Sequence, residues 1–172
     1  TSVVLGDDPT PAILAVRDAD CEAVVFNANE PVAVAFMSAV KQQGLLDSAD
    51  WLTLTSAYTE TALDALAAQG TLGLYANSEF LPFMSDDPEL DEWRTLLTEA
   101  DVARTSLSMG GYVRAEILVE VLQGIEGEIT RESVTAAFRE LDEIAHPFMG
   151  MPFTFGTDDS HNPNRASVMV HA

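Results

Sequence analysis

Cysteine is nearly absent. Cys21 is the only one in 172 residues, so no intramolecular disulfide forms and a small disulfide-stapled scaffold is excluded. Basic residues are scarce too: eight Lys and Arg, Lys41 being the single lysine, stand against 28 Asp and Glu, for a formal net charge of −20. A surface this acidic repels phosphate backbones, which excludes a nucleic-acid partner. The bias reads more naturally as genomic composition or salt adaptation than as a binding device. No apolar run approaches the ~20 residues of a membrane-spanning helix. The chain starts Thr-Ser-Val-Val-Leu, without Met, a charged leader or an apolar targeting segment, so any such segment is expected to have been removed or to lie upstream. The phosphate-loop patterns Gly-x-x-x-x-Gly-Lys-Ser/Thr and Gly-x-Gly-x-x-Gly are missing, which argues against an ordinary nucleotide site. Gly-x-Ser-x-Gly is missing as well, so nucleophilic catalysis lacks its usual signature. No cofactor or metal is expected.

What is present is an alternation of short β-rich runs with longer helical patterns. Ser2–Leu5, Ala23–Phe26, Trp51–Leu54 and Gly73–Ala76 read as strands, each four residues of mostly β-branched, aromatic or Leu character. Thr10–Asp18, Pro31–Gln43 and Thr59–Ala68 carry apolar residues at helical spacing, with Val32, Phe36, Ala39 and Val40 on one face. Thr10-Pro11, Glu30-Pro31 and Asp87-Pro88 place Pro near helix starts, with Asn29 and Asp87 available as caps. Strands joined by helices at this spacing predict βαβ units and a parallel α/β sheet flanked by helices, its strands buried on both faces. After Asn77 the pattern changes to the loop Ser78–Asp87 and three helices, Pro88–Glu99, Ser106–Gln123 and Thr130–Glu140. Two short strands, Phe153–Phe155 and Ser167–Val170, are expected to flank a polar loop, Gly156–Arg165.

In an open α/β sheet, ligands bind at the carboxyl ends of the strands, where loops and helix N-termini converge. That edge collects Gly6–Asp8, Asn27–Glu30, Thr55–Tyr58 and Asn77–Phe80. The candidate ligand-binding residues are Asn29, Ser56, Tyr58, Asn77, Glu79 and Phe80, whose amides, hydroxyls, carboxylate and ring suit a small polar solute. Asn29, Ser56 and Thr59 are equally what helix caps and turns require. Asp158, Asp159 and His161 match neither an EF-hand nor a zinc spacing and read as a solvated turn; a hydrolytic site built on them is the enzymatic alternative.

Several segments together resemble one family. Ile13-Leu-Ala-Val-Arg-Asp-Ala-Asp-Cys-Glu-Ala-Val-Val-Phe26 is similar to its helix leading into a strand, and Ala39-Val-Lys-Gln-Gln-Gly44 to the end of the next helix. Ala62–Gly73 and Leu74–Pro88 resemble the following helix, strand and loop; Ser108-Met-Gly-Gly-Tyr-Val-Arg-Ala-Glu-Ile-Leu118 resembles a helix near the hinge, and Gly150–Val170 the closing strands. The order of these motifs resembles the type I periplasmic-binding-protein family, in particular solute-binding proteins of the branched-chain amino-acid ABC-transporter class.

The resemblance implies a C-terminal portion of a two-lobed, non-enzymatic protein. Residues 1–100 would form the α/β core of the second lobe, 101–147 hinge-crossing helices that pack on the N-terminal lobe, and 148–172 return strands. The N-terminal lobe would be missing. The implied function is the extracellular or periplasmic solute-binding component of an ABC importer, lipid-anchored in its full-length form, which closes on a solute and presents it to a permease. Asn29, Ser56 and Tyr58 fall where relatives present ligand-facing side chains. Amino-acid binders of this class often carry an aromatic and an acid at the first two of these places, so Asn29 and Ser56 widen the expectation to amides and aromatic acids. A ligand-sensing domain of a signalling protein is the alternative. An uncovered lobe interface would favour self-association of the fragment.

Overall fold

The computed structural model describes residues 6–155 and 166–171. Of these, 6–78 with 169–171 form one compact unit and 79–155 with 166–168 a second. The expected strand Ser2–Leu5 and the Asp158, Asp159 and His161 loop lie outside the described residues.

The first unit is the parallel α/β sheet. Its elements run α1 (Thr10–Asp18), β1 (Ala23–Phe26), α2 (Glu30–Gln42), β2 (Asp50–Thr53), α3 (Glu60–Gln69) and β3 (Leu74–Ser78), and β4 (Val168–His171) returns to it. The sheet order is β1-β2-β3-β4. β1 pairs parallel with β2, setting Val24 beside Trp51 and Phe26 beside Thr53, and β2 pairs parallel with β3, setting Trp51 beside Leu74 and Thr53 beside Ala76.

Local chemistry explains where the helices start and stop. Asn29 caps α2, its Oδ1 accepting from the Val32 N–H, with Pro31 in the first turn. Thr59 caps α3 in the same way, accepting from the Ala62 N–H at 3.0 Å. α3 ends at Gly70, whose φ of 63° is left-handed and lets the Thr71 N–H turn back to the Leu66 carbonyl at 2.9 Å. The core of this unit joins Ile13 of α1, Phe36, Met37 and Val40 of α2, Trp51 of β2, Leu66 of α3 and Leu74 of β3. Phe36 is its centre: it stacks on Phe26 at 4.6 Å and meets Trp51 edge-on at 5.8 Å.

Two expectations are corrected. The strands are not buried on both faces: β1 alternates, Val24 and Phe26 packing on the core while Val25 is 70% exposed. Phe153–Phe155 is not a strand; Phe153 makes one isolated antiparallel bridge with Ile144.

The second unit is helical. A 3₁₀ turn, Pro88–Leu90, leads into α4 (Asp91–Glu99), followed by α5 (Ser106–Gln123) and α6 (Arg131–Glu140). The proline therefore opens the 3₁₀ turn, with Asp87 capping at Glu89, and α4 itself starts three residues later than the pattern indicates. α5 and α6 open with the same device, a Thr-x-x-Ser capping box at Thr105/Ser108 and Thr130/Ser133. Met109, Val113, Ile117 and Val121 are buried at four-residue spacing along α5, and Trp93 and Leu97 along α4. This grouping is by packing, whereas the expected division at residues 100 and 147 is by lobe membership.

Replacing Phe36 by Ala should lower the stability of the folded chain by about 3–5 kcal/mol, because a buried ring flanked by two aromatics leaves a cavity that cannot collapse. Urea denaturation followed by circular dichroism measures this.

Candidate functional site

The carboxyl ends of β1, β2 and β3 lie side by side because the strands are parallel and in register. The loops that leave them are tied together by their own side chains. Ser56 Oγ, after β2, donates to the Ala28 carbonyl after β1 at 2.9 Å. The Thr55 N–H donates to Asn77 Oδ1, within β3, at 3.0 Å. One layer below, Thr53 Oγ1 donates to the Phe26 carbonyl at 3.2 Å. These bonds cross all three strand ends, so the edge is held in one geometry by the chain itself.

Asn29 is exposed at the start of α2, and its Oδ1 contact to Val32 is long, 3.4 Å. Ser56 and Asn77 are half-buried. Tyr58 is 4% exposed, so its ring belongs to the wall of this edge more than to its open surface. Beneath it runs a contact that the residue-by-residue reading missed: Thr59 Oγ1 donates to Glu30 Oε2 at 2.6 Å, joining the N-cap of α3 to the first turn of α2. The Thr59-Glu60 pair signals a cap in sequence, but nothing local indicates its partner, 29 residues away.

Asn29, Ser56, Tyr58 and Asn77 are thus brought together on the first unit. Glu79 and Phe80 belong to the second, where both face α5. Glu79 Oε2 is 3.8 Å from the Arg114 guanidinium. Phe80 is buried, and a Cβ added at Gly110 would stand 3.1 Å from its ring and 2.6 Å from the Arg114 guanidinium. Gly110 is what lets the ring lie close to the helix. At the sequence level the Gly110-Gly111 pair inside a helical pattern was the available signal.

The second unit also holds a groove of about 840 Å³ bordered by α5, α4 and the segment 146–148. His146 lies in its wall, 7% of its side chain exposed, Nε2 2.7 Å from Glu116 Oε2. Its Nδ1 accepts the Phe148 N–H at 3.1 Å, which assigns the proton to Nε2. Tyr112 stacks on Phe148 at 5.7 Å. Burial, then hydrogen bonding to Glu116 and its charge, push the Tyr112 phenol up to about 12. The charge of Glu92 adds to this. Among the described residues no group of three or more His, Cys, Asp and Glu could hold a metal ion, and no helix is long and apolar enough to cross a membrane.

A parallel α/β unit with tied, polar strand-end loops, and a second unit that is helical among the described residues, define a class: an open α/β fold with one polar strand-end edge. The comparisons narrow it. A family profile described as Periplasmic binding protein matches residues 3–172. The chain belongs to the periplasmic binding protein family. The fold is that of a lobe of type I members, an α/β sheet, mostly parallel and flanked by helices.

Solved structures agree on the fold. A branched-chain amino acid ABC transporter protein from Thermus thermophilus with bound valine superposes with a TM-score of 0.82 at 17% identity, over 100% of this chain and 48% of that one. A fatty acid ABC transporter substrate-binding protein from Thermomonospora curvata gives 0.77 at 20%, over 96% and 43%. A solute-binding protein from R. palustris in complex with 4-hydroxybenzoate gives 0.70 at 18%, over 89% and 42%. The chain therefore spans less than half the length of these structures. No curated protein matches the sequence.

Two outcomes follow from this geometry. Asn77→Ala removes the acceptor of the Thr55 N–H and should cost about 1–2 kcal/mol in urea denaturation, as for a half-buried donor left without its partner. For Tyr112 the phenol is held protonated in the folded chain above its ordinary value of 10.0. Its contribution to stability is complete below the unfolded value and is lost as pH rises from there through about 12. Tyr112→Phe should flatten that part of the stability profile, read from melting temperatures across alkaline pH.

Proposed function

We propose that this chain is part of the solute-binding component of an ABC importer, a non-enzymatic protein working outside the cell membrane, in the periplasm or at the cell surface. The observation that carries the reading is the family match over residues 3–172. The solute is a small polar molecule, such as an amino acid, an amide or an aromatic acid. Valine and 4-hydroxybenzoate in the relatives' structures share a carboxylate, and a carboxylate needs fixed donors. The edge around Asn29, Ser56, Tyr58 and Asn77 supports this with amide and hydroxyl groups whose positions are fixed by the bonds between Ser56 and Ala28 and between Thr55 and Asn77. Glu79 and Phe80, which belong to the second unit, stay proposed contacts by their place in the segment after β3 alone.

The other half of the cleft would come from a second lobe, which the relatives' greater length supplies and this sequence does not. Residues 1–100 then belong to one lobe, 101–147 cross to the other, and 148–172 return. Solute binding stabilises the closed arrangement because only there do both halves touch it, and a permease reads that closure.

A thermal-shift panel of branched-chain amino acids, small amides and aromatic carboxylates tests this on the product of the gene that encodes these residues. At 100-fold excess over the dissociation constant, a bound solute should stabilise the longer protein by about 2.7 kcal/mol, while the 172-residue chain alone shows no shift. A full response from the isolated chain, or none from the longer product across the panel, contradicts the proposal.

A further inference from the structure

We propose that His146 is a pH-operated latch on the segment 146–148: its neutral ring holds the segment in place, and a proton taken up at Nδ1 releases it. The geometry leaves one place for that proton. Nε2 carries the hydrogen of the neutral ring and faces Glu116 Oε2 at 2.7 Å, while Nδ1 accepts the Phe148 N–H at 3.1 Å. A second proton on the ring sets one N–H against another, so the bond to Phe148 is lost.

That loss spreads because Phe148 is the joint of the segment. The residue is buried, so its displaced N–H stays unsatisfied unless the peptide turns. Its carbonyl accepts the Leu81 N–H at 2.9 Å, and its ring stacks on Tyr112 and meets the His146 ring edge-on at 5.1 Å. A turn of this peptide therefore also draws on the tie to Leu81. The Glu116 contact persists as an ion pair, so the segment keeps its hold on α5 at His146 while residue 148 and Leu81 come apart.

The surroundings accept the added charge. Around His146 the groove is lined by Glu89 of the 3₁₀ turn, by Glu92 of α4, and by Tyr112, Glu116 and Glu120 of α5. Among the described residues that line it there is no Lys or Arg, so an imidazolium there meets carboxylates and a phenol and no like charge. The latch belongs to the second unit alone and does not depend on what the chain binds.

Residue-resolved NMR on the product of the gene that encodes these residues tests it from about pH 8 to about pH 5, the range in which histidine changes charge. At the upper end the His146 ring should show Nε2 protonated and Nδ1 bare, with the Phe148 and Leu81 amides protected from hydrogen exchange. At the lower end both nitrogens should be protonated. Exchange at Phe148 and Leu81, corrected for its intrinsic pH dependence, should then quicken by at least ~10-fold along the ring's own titration curve, while the Val113 amide in α5 keeps its protection. His146→Asn supplies a side-chain oxygen that accepts from the N–H two residues on and does not titrate, so this variant should show no such pH response. A Phe148 amide indifferent to the ring's titration, a ring that takes up no second proton by about pH 5, or loss of protection at Val113 in step with the others would each overturn the proposal. So would the same pH response in His146→Asn. The titration of the unaltered protein decides the matter by itself where the variant does not fold.

Discussion

The parallel register of β1, β2 and β3 is the constraint on which the rest depends. It sets Phe26, Thr53 and Ala76 at corresponding heights, so that three loops begin together, and it places Trp51 against the helices in the same stroke. A slip of one residue would turn Trp51 and Thr53 to the other face and leave Phe36 without its edge-on partner. The same slip would move Ser56 away from the Ala28 carbonyl and the Thr55 N–H away from Asn77. Core and candidate site therefore share one cause, and the energy that fixes the core also fixes the edge.

The polar groups of that edge first tie its loops together, and the proposal gives them a second role at a solute. Ser56 and Asn29 are each committed on one side to the backbone, at the Ala28 carbonyl and the Val32 N–H, and each retains capacity on the other. A serine hydroxyl that donates to a carbonyl still accepts, and an asparagine whose oxygen caps a helix still carries an amide NH₂. A site made this way loses little conformational freedom on binding, because its side chains are already ordered. The second unit follows different physics. Its helices are defined by caps and by buried residues four apart, and the segment 146–148 is held against them by His146, which bonds to Glu116 and to the Phe148 N–H. The Leu81 N–H to Phe148 carbonyl bond, 2.9 Å, ties the segment after β3 to the same place.

Elements with strong periodicity were legible from the residues. Thr10–Asp18, Ala23–Phe26 and Ser106–Gln123 coincide with α1, β1 and α5, because helical spacing and β-branched runs encode local geometry directly. The parallel pairing was legible as well, since helices between strands leave few other topologies. Roles were less so. Ser56 and Asn77 are polar residues at strand ends, and nothing in the chain near them distinguishes a tie between loops from a contact for solute; the partners Ala28 and Thr55 are 28 and 22 residues away. Phe80 belonged to the edge by position, and its place against α5 depends on Gly110, thirty residues on. Val25 illustrates the same limit: its strand is apolar throughout, yet the side chain is exposed, since among the described residues no element covers that face beside β1.

Whether solute is held at the tied strand-end edge is tested by residue-resolved chemical-shift mapping of the product of the gene that encodes these residues, titrated with valine and with 4-hydroxybenzoate. The amides of Asn29, Ser56, Tyr58 and Asn77 should move together, with one saturation curve, for whichever solute binds. Saturable binding that leaves those four unmoved and shifts residues on another face would contradict it.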